Sequence, residues 1–370
     1  AVPAPALPET AAPPRAAESG AAYPRGHLPY LDGWRGLAIL MVLAGHFFTI
    51  RGISVQRLGV ELFFVLSGRL MADILFVRET ALPLFYKRRI SRVLPGFLVF
   101  VALIAAIPAA VPVVPVTWHD LAYALTFTSN YAPWLEGREV SIAFGHLWSL
   151  SVEEHAYLLL SVIALLHRRV GLPVIGTLLA LSVVAVAIGF VDSRLLHEAH
   201  HAVYWRTDVR IPSILIPVMV YLTVAGRPAA VFGTGRAAAL APLAFGALGL
   251  FLNVSLVPDV VKYSAGTLCL ALAVCTLEQA PAPVKRLLSF TPLRVTGLIS
   301  FSLYLWQQPL FGLHLEHVAS RWLLLPAAFG LAALSYLAVE RPCRDWLNGR
   351  RWALPWSRRA AAGPAVGAGG

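Results

Sequence analysis

Arg35 and His46 stand eleven positions apart in LDGWRGLAILMVLAGHFF, a segment otherwise apolar enough to face lipid. Eleven helical residues rise by about 16 Å, roughly half the hydrocarbon thickness. That spacing predicts Arg35 at one membrane surface and His46 near the middle of the bilayer. Ionisable groups at such depth are costly and mark function. An imidazole can take or give a proton near neutral pH, or carry a group transiently. The alternative for His46 is a polar contact between helices. Asp32 can pair with Arg35.

A second set of residues suits anions. FYKRRISRVLP, residues 85–95, carries Lys87, Arg88, Arg89 and Arg92. Topology and anionic lipid account for part of that charge. Arg88 and Arg92, however, are one helical turn apart and face the same way, and a guanidinium pair suits the phosphates of a cytosolic donor. In GVELFFVLSGRLM, Ser67 and Gly68 permit close helix approach. Arg69 in the same stretch either snorkels to the inner surface or faces a cavity and binds an anion. Glu61 falls near the outer start of that helix.

A third set could act on an acceptor. FGHLWSLSVEEHAYLL holds His146, Ser149, Glu153, Glu154 and His155. Ser149 and Glu153 share a helix face and can orient each other or a water. Glu153 falls about 10 Å below the helix start, where a carboxylate is either paired or tuned for acid–base work. His155 is the expected partner of the two glutamates. Arg206, Asp208 and Arg210 gather at the outer mouth of the sixth expected helix, pairing with each other or meeting a polar acceptor from outside. His197, His200 and His201 have the residue type of metal ligands but no supporting pattern, so they read as a hydrated loop and no metal site is expected. Tyr304, Trp306 and Gln307 give the ninth expected helix a polar stripe, and Pro309 can free a backbone carbonyl. Glu340 and Arg341 read as a structural pair closing the last helix.

These residues need a scaffold, and the composition says which. The 370 residues are 58% hydrophobic and 13% charged, with mean hydropathy +0.70. A soluble chain carries about twice that share of charge. The apolar residues also gather in long runs, so the fold is expected to be all-α, a polytopic transmembrane helical bundle. About ten spans fit the pattern, near 36–53, 58–77, 93–115, 146–166, 171–191, 211–226, 237–257, 263–279, 296–313 and 322–340. Most of the 30 Lys and Arg then fall on the side that includes both termini, which predicts cytoplasmic ends. The net charge of +11 is explained the same way, and no nucleic-acid partner is expected. Cys269, Cys275 and Cys343 form no disulfide or zinc pattern. The Ala/Pro-rich residues 1–27 and the basic, then Ala/Gly-rich residues 347–370 read as disordered tails around a domain over 28–346.

Taken together and in order, these segments resemble the acyltransferase-3 family of membrane acyltransferases, whose members acylate sugars of O-antigens and exopolysaccharides, nodulation factors and macrolides. LDGWRGLAIL…GHFF is similar to its opening motif, GVELFFVLSG to its second-helix motif, and FYKRRISRVLP to its arginine motif. HLWSLSVEEHAYLL resembles its fourth-helix signature, ISFSLYLWQQP the late one, and SYLAVERPCR its ending. The resemblance implies a bacterial inner-membrane O-acyltransferase with no tightly bound cofactor, taking acyl-CoA, acetyl-CoA first, as co-substrate from the cytoplasm. Its acceptor would be a hydroxyl of a carbohydrate or polyketide. It maps catalytic roles onto His46, Arg35 and Glu153, and donor binding onto Arg88 and Arg92, with Lys87 and Arg69 beside them. Ser149, His146, Arg206, Asp208 and Arg210 are left for the acceptor. Arg69, His155 and Gln307 depart from the family's usual residues. The alternative from another class is a transporter or flippase for a polar or lipid-linked substrate, which intramembrane charges would serve equally; a noncatalytic scaffold is the third.

Overall fold

A computed structural model describes residues 26–106, 116–225, 231–232 and 235–349. Every regular element among them is a helix. The ten main ones are α1 (Pro29–Phe47), α2 (Val55–Met71), α3 (Leu82–Ala106), α4 (Leu147–Val170), α5 (Val174–Leu195), α6 (Thr207–Val224), α7 (Arg236–Leu252), α8 (Thr267–Cys275), α9 (Ser300–Leu315) and α10 (Arg321–Leu347). Of these, α3, α4, α5, α6 and α10 are long and apolar enough to cross a membrane. Large apolar side chains such as Leu179, Val183, Phe251 and Leu334 stand exposed on the outside, the pattern of a bundle solvated by lipid. The protein is an all-α membrane bundle.

Boundaries differ from expectation where they matter most. α1 starts and stops earlier than 36–53. Pro29 presets the backbone for the first helical position and has no N–H to satisfy, while the charges of Asp32 and Arg35 dilute the apolar signal there. At the other end Phe48 turns extended and Gly52 takes φ +83. Arg35 therefore lies inside the helix, and His46 in its last turn rather than midway along a span. α3 begins at Leu82, so the basic cluster sits within a helix and not ahead of one. Residues 107–115 lie outside the described residues, as do most of the two expected tails. The ninth expected helix divides at Ile299 into Thr291–Leu298 and α9.

Three apolar clusters hold the bundle together. One joins α1, α2, α4, α6 and α8; a second joins α3, α9 and the segment before α4 through Phe97, Phe100, Phe144 and Leu305; a third joins α1, α9 and α10 through Ile39, Phe47, Leu303 and Ala328. Backbones touch where side chains are missing. A Cβ on Gly68 would fall 2.3 Å from the Ile214 carbonyl oxygen of α6, and one on Gly297 would fall 1.9 Å from that of Asp32. Deep in the first cluster, Arg210 and Glu61 form an ion pair at 2.5 Å with both side chains fully buried.

Candidate active site

Where the three clusters meet, the packing leaves a cavity of about 430 Å³. Val60 and Phe63 border the first and third clusters, Tyr304 the second and third, and all three line it. Five helices bring polar groups to its wall: Arg35 from α1, Ser67 from α2, Arg88, Arg89 and Arg92 from α3, Ser149, Glu153 and Tyr157 from α4, and Ser300 and Tyr304 from α9. The rest is apolar, including Phe64, Met71, Ile74 and Phe301. The wall thus combines guanidinium groups with apolar side chains, a lining suited to an amphiphile that carries anionic groups.

The three arginines of α3 are not equivalent. Arg89 donates to Glu154 Oε1 through Nε and Nη2 at 3.1 and 2.7 Å, approaches Glu153 at 3.4 Å and lies over the Tyr157 ring at 4.0 Å. Arg88 and Arg92 make no side-chain hydrogen bond or ion pair among the described residues. Their guanidinium groups are free to meet a ligand anion. Arg35 stands 3.6 Å from Asp32, which also binds His27 at 2.7 Å.

Glu153 accepts hydrogen bonds from the hydroxyls of Ser67 and Tyr157. With Arg89 beside it, its lone pairs are well occupied. The expected contact with Ser149 is replaced: Ser149 pairs with the Tyr304 hydroxyl at 2.9 Å, and that hydroxyl donates to the His146 carbonyl. The His146 ring is buried against Tyr304 and Phe100, with neither nitrogen hydrogen-bonded.

His46 lies beyond this chamber. Its Nδ1 is 2.7 Å from Gln307 Oε1, and its ring stacks on Phe311 at 4.5 Å. α9 therefore works as a rail. Ser300 and Tyr304 face the cavity, Gln307 and Phe311 hold His46, and His314 stacks on Phe47. Gln307 is three positions beyond Tyr304, about 4.5 Å along the axis, so the imidazole is held roughly one turn past the cavity-lining Tyr304. Trp306 points to the opposite face, against Phe100.

Other expected site residues lie elsewhere. Lys87 is exposed and outside the cavity wall. Arg69 is buried on the far side of α2, over the Tyr221 ring at 5.1 Å. Arg210 is enclosed by Glu61, Tyr204 and Tyr263. Arg206 binds Asp192 at 2.7 Å and also Asp208, which accepts from Tyr131 at 3.2 Å. His155 turns to Thr207 at 2.7 Å instead of to the glutamates. Glu340 accepts from Ser302, and Arg341 reaches Asp345 at 4.0 Å, so the expected pair of neighbours is not made. His200 and His201 each meet a carboxylate, Asp259 at 3.0 Å and Glu139 respectively. Reading the sequence alone left Arg89, Tyr157 and Tyr304 without assigned roles in the site. The signal for Tyr157 was present, four residues after Glu153 and thus on its face.

The sequence model of the acyltransferase-3 acyltransferase domain matches residues 28–339. BcsY of Komagataeibacter xylinus, named as a membrane-bound transacylase, is 27% identical over 358 residues, covering 88% of this chain and 85% of that one. The O-acetyltransferase OatA of Staphylococcus aureus is 27% identical over 357 residues, 87% of this chain and 58% of its own. The peptidoglycan O-acetyltransferase OatA of Listeria monocytogenes is 26% identical over 366 residues, 87% and 56%. The chain thus spans less than two thirds of the OatA proteins. No solved structure matches.

Proposed function

The chain belongs to the acyltransferase-3 family of membrane acyltransferases, and from that premise we propose that it moves an acyl group, acetyl first, from acyl-CoA to a hydroxyl of a carbohydrate or another polar acceptor such as a polyketide. The reading places it in a bacterial inner membrane with the arginine end toward the cytoplasm. The observation that carries it is a cavity whose wall holds the guanidinium groups of Arg88 and Arg92, unpaired among the described residues, and also Tyr304, which lies one helical turn along α9 from the Gln307 that holds His46.

In this reading Arg88, Arg92 and Arg35 hold the donor's phosphates, and the apolar chamber takes the chain that leads to the thioester. His46 accepts the proton of the acceptor hydroxyl as its oxygen attacks the thioester carbonyl. The C–O bond forms, the C–S bond breaks, and the departing thiolate takes the proton back from the imidazolium. Glu153 holds Arg89 and Ser67 and so shapes the wall; it is a positioning group. Ser149 and His146 stand at the end where the acceptor would arrive, whereas Arg206, Asp208 and Arg210 brace the segment that precedes and opens α6.

The test reconstitutes the full chain in vesicles with labelled acetyl-CoA and a carbohydrate acceptor. The parent forms a labelled ester, and His46→Ala forms none while still inserting. Full transfer by His46→Ala would end the assignment. Movement of the acceptor without product would favour a transporter.

A further inference from the structure

A second cavity of about 200 Å³ opens beside the first. Its charged wall is Asp32, Arg35, Arg92, Glu340 and Arg344, with Tyr336. Arg35 and Arg92 line both cavities. Arg344, in the final turns of α10, joins only the second. That end of α10 is tied to α3, because Asn348 Nδ2 donates to Ser91 Oγ at 2.9 Å.

The acids here are already engaged. Asp32 binds His27 and Arg35, and Glu340 accepts from the hydroxyls of Ser302 and Ser335. Two of the cations have donors to spare. Arg92 has no protein acceptor among the described residues, and the contacts of Arg344 are long, 3.5 Å to the Tyr336 hydroxyl and 3.9 Å to Asp345. Arg92 also lies near enough to Arg35, Arg89 and Arg344 for these charges to repel one another. Guanidinium groups gathered in this way, with donors to spare, match the oxygens of a dianionic phosphate.

We infer that this second cavity binds the phosphomonoester at the end of the donor remote from the thioester, with Arg344 as a donor-binding residue beside Arg35 and Arg92. The inference rests on the acyl-CoA reading above. The shared arginines make it geometrically sensible: one arm of the nucleotide end stays with Arg88 and Arg92 at the chamber mouth, and the lone phosphate turns aside into the smaller space.

Calorimetric titration of the purified full chain with CoA and with 3′-dephospho-CoA tests this. The parent should bind CoA at least about tenfold more tightly than the dephospho form, the scale of a charge-assisted hydrogen bond. Arg344→Gln should remove that difference, binding both ligands as the parent binds dephospho-CoA. Arg344→Lys, which keeps the charge without the fork, should restore part of it. Arg88→Gln should weaken both ligands and leave their ratio intact. CoA binding with an unchanged ratio in Arg344→Gln, or equal weakening of both ligands, would overturn the subsite and leave the donor reading standing. No binding of either ligand by the parent would overturn both.

Discussion

Gln307 fixes the tautomer of His46. The Gln307 amide nitrogen donates to the Tyr304 carbonyl at 3.3 Å and to Gln308 Oε1 at 3.2 Å, which turns its own Oε1 toward His46 Nδ1 at 2.7 Å. An amide oxygen only accepts, so Nδ1 carries the hydrogen and Nε2 keeps its lone pair. That is the form a general base needs. Gln307→Leu should lower kcat by about tenfold to a hundredfold, part of the whole general-base effect, with the donor KM nearly unchanged. Steady-state kinetics on membranes check this; a changed KM with unchanged kcat would count against it.

The Glu61–Arg210 pair makes a prediction about stability rather than chemistry. Both side chains are fully buried, Thr267 donates to Glu61, and Tyr263 covers the guanidinium at 3.5 Å. Removing one partner leaves a charge without compensation, which costs about 3–5 kcal/mol. Glu61→Ala should therefore lower the unfolding temperature sharply in detergent. Glu61→Leu combined with Arg210→Met should recover much of the loss, since two packed apolar groups can replace a buried pair.

Much of this arrangement is legible in the sequence, and what is not has a physical reason. Apolar run length marks helices because lipid demands satisfied backbones, and helical phase set Arg88 with Arg92 and Ser149 with Glu153, all of which line one cavity. Phase says which residues share a face but not what that face meets. His46 and Gln307 are 261 positions apart, and no local signal joins them. Arg69 and Arg210 read as functional because charge in an apolar run is unusual, yet Tyr221 and Glu61 respectively cover them. His155 reads as a partner of Glu154 because it is adjacent, but neighbours in a helix point about 100° apart, and it meets Thr207.

The loop ahead of α4 carries an acid-sensitive link. His201 hydrogen-bonds Glu139 and holds its carboxyl below the usual range, against the opposing effect of burial. A lowered folded-state value means the link stabilises the fold above the unfolded carboxylate range and is lost as the pH falls through the folded value. Glu139→Gln should thus reduce the unfolding temperature slightly at pH 7, and the difference from the parent should shrink as the pH falls below the ordinary carboxylate range. Thermal unfolding across that pH range decides; a gap that widens in acid would contradict the sign.

The arginines of α3 should separate under substitution according to their partners. Arg88 and Arg92 have no protein acceptor to abandon, so Arg88→Gln and Arg92→Gln should keep the parent's unfolding temperature. Each should raise the donor KM by about tenfold, the scale of one charge-assisted hydrogen bond. Arg89 is different. It links α3 to Glu153 and Glu154 of α4 with its side chain 16% exposed, and Arg89→Gln strands two carboxylates beside the Tyr157 ring. That variant should unfold at a markedly lower temperature even without donor. If Arg89→Gln were as stable as the parent while Arg88→Gln unfolded early, the division between ligand-facing and wall-building cations would be wrong.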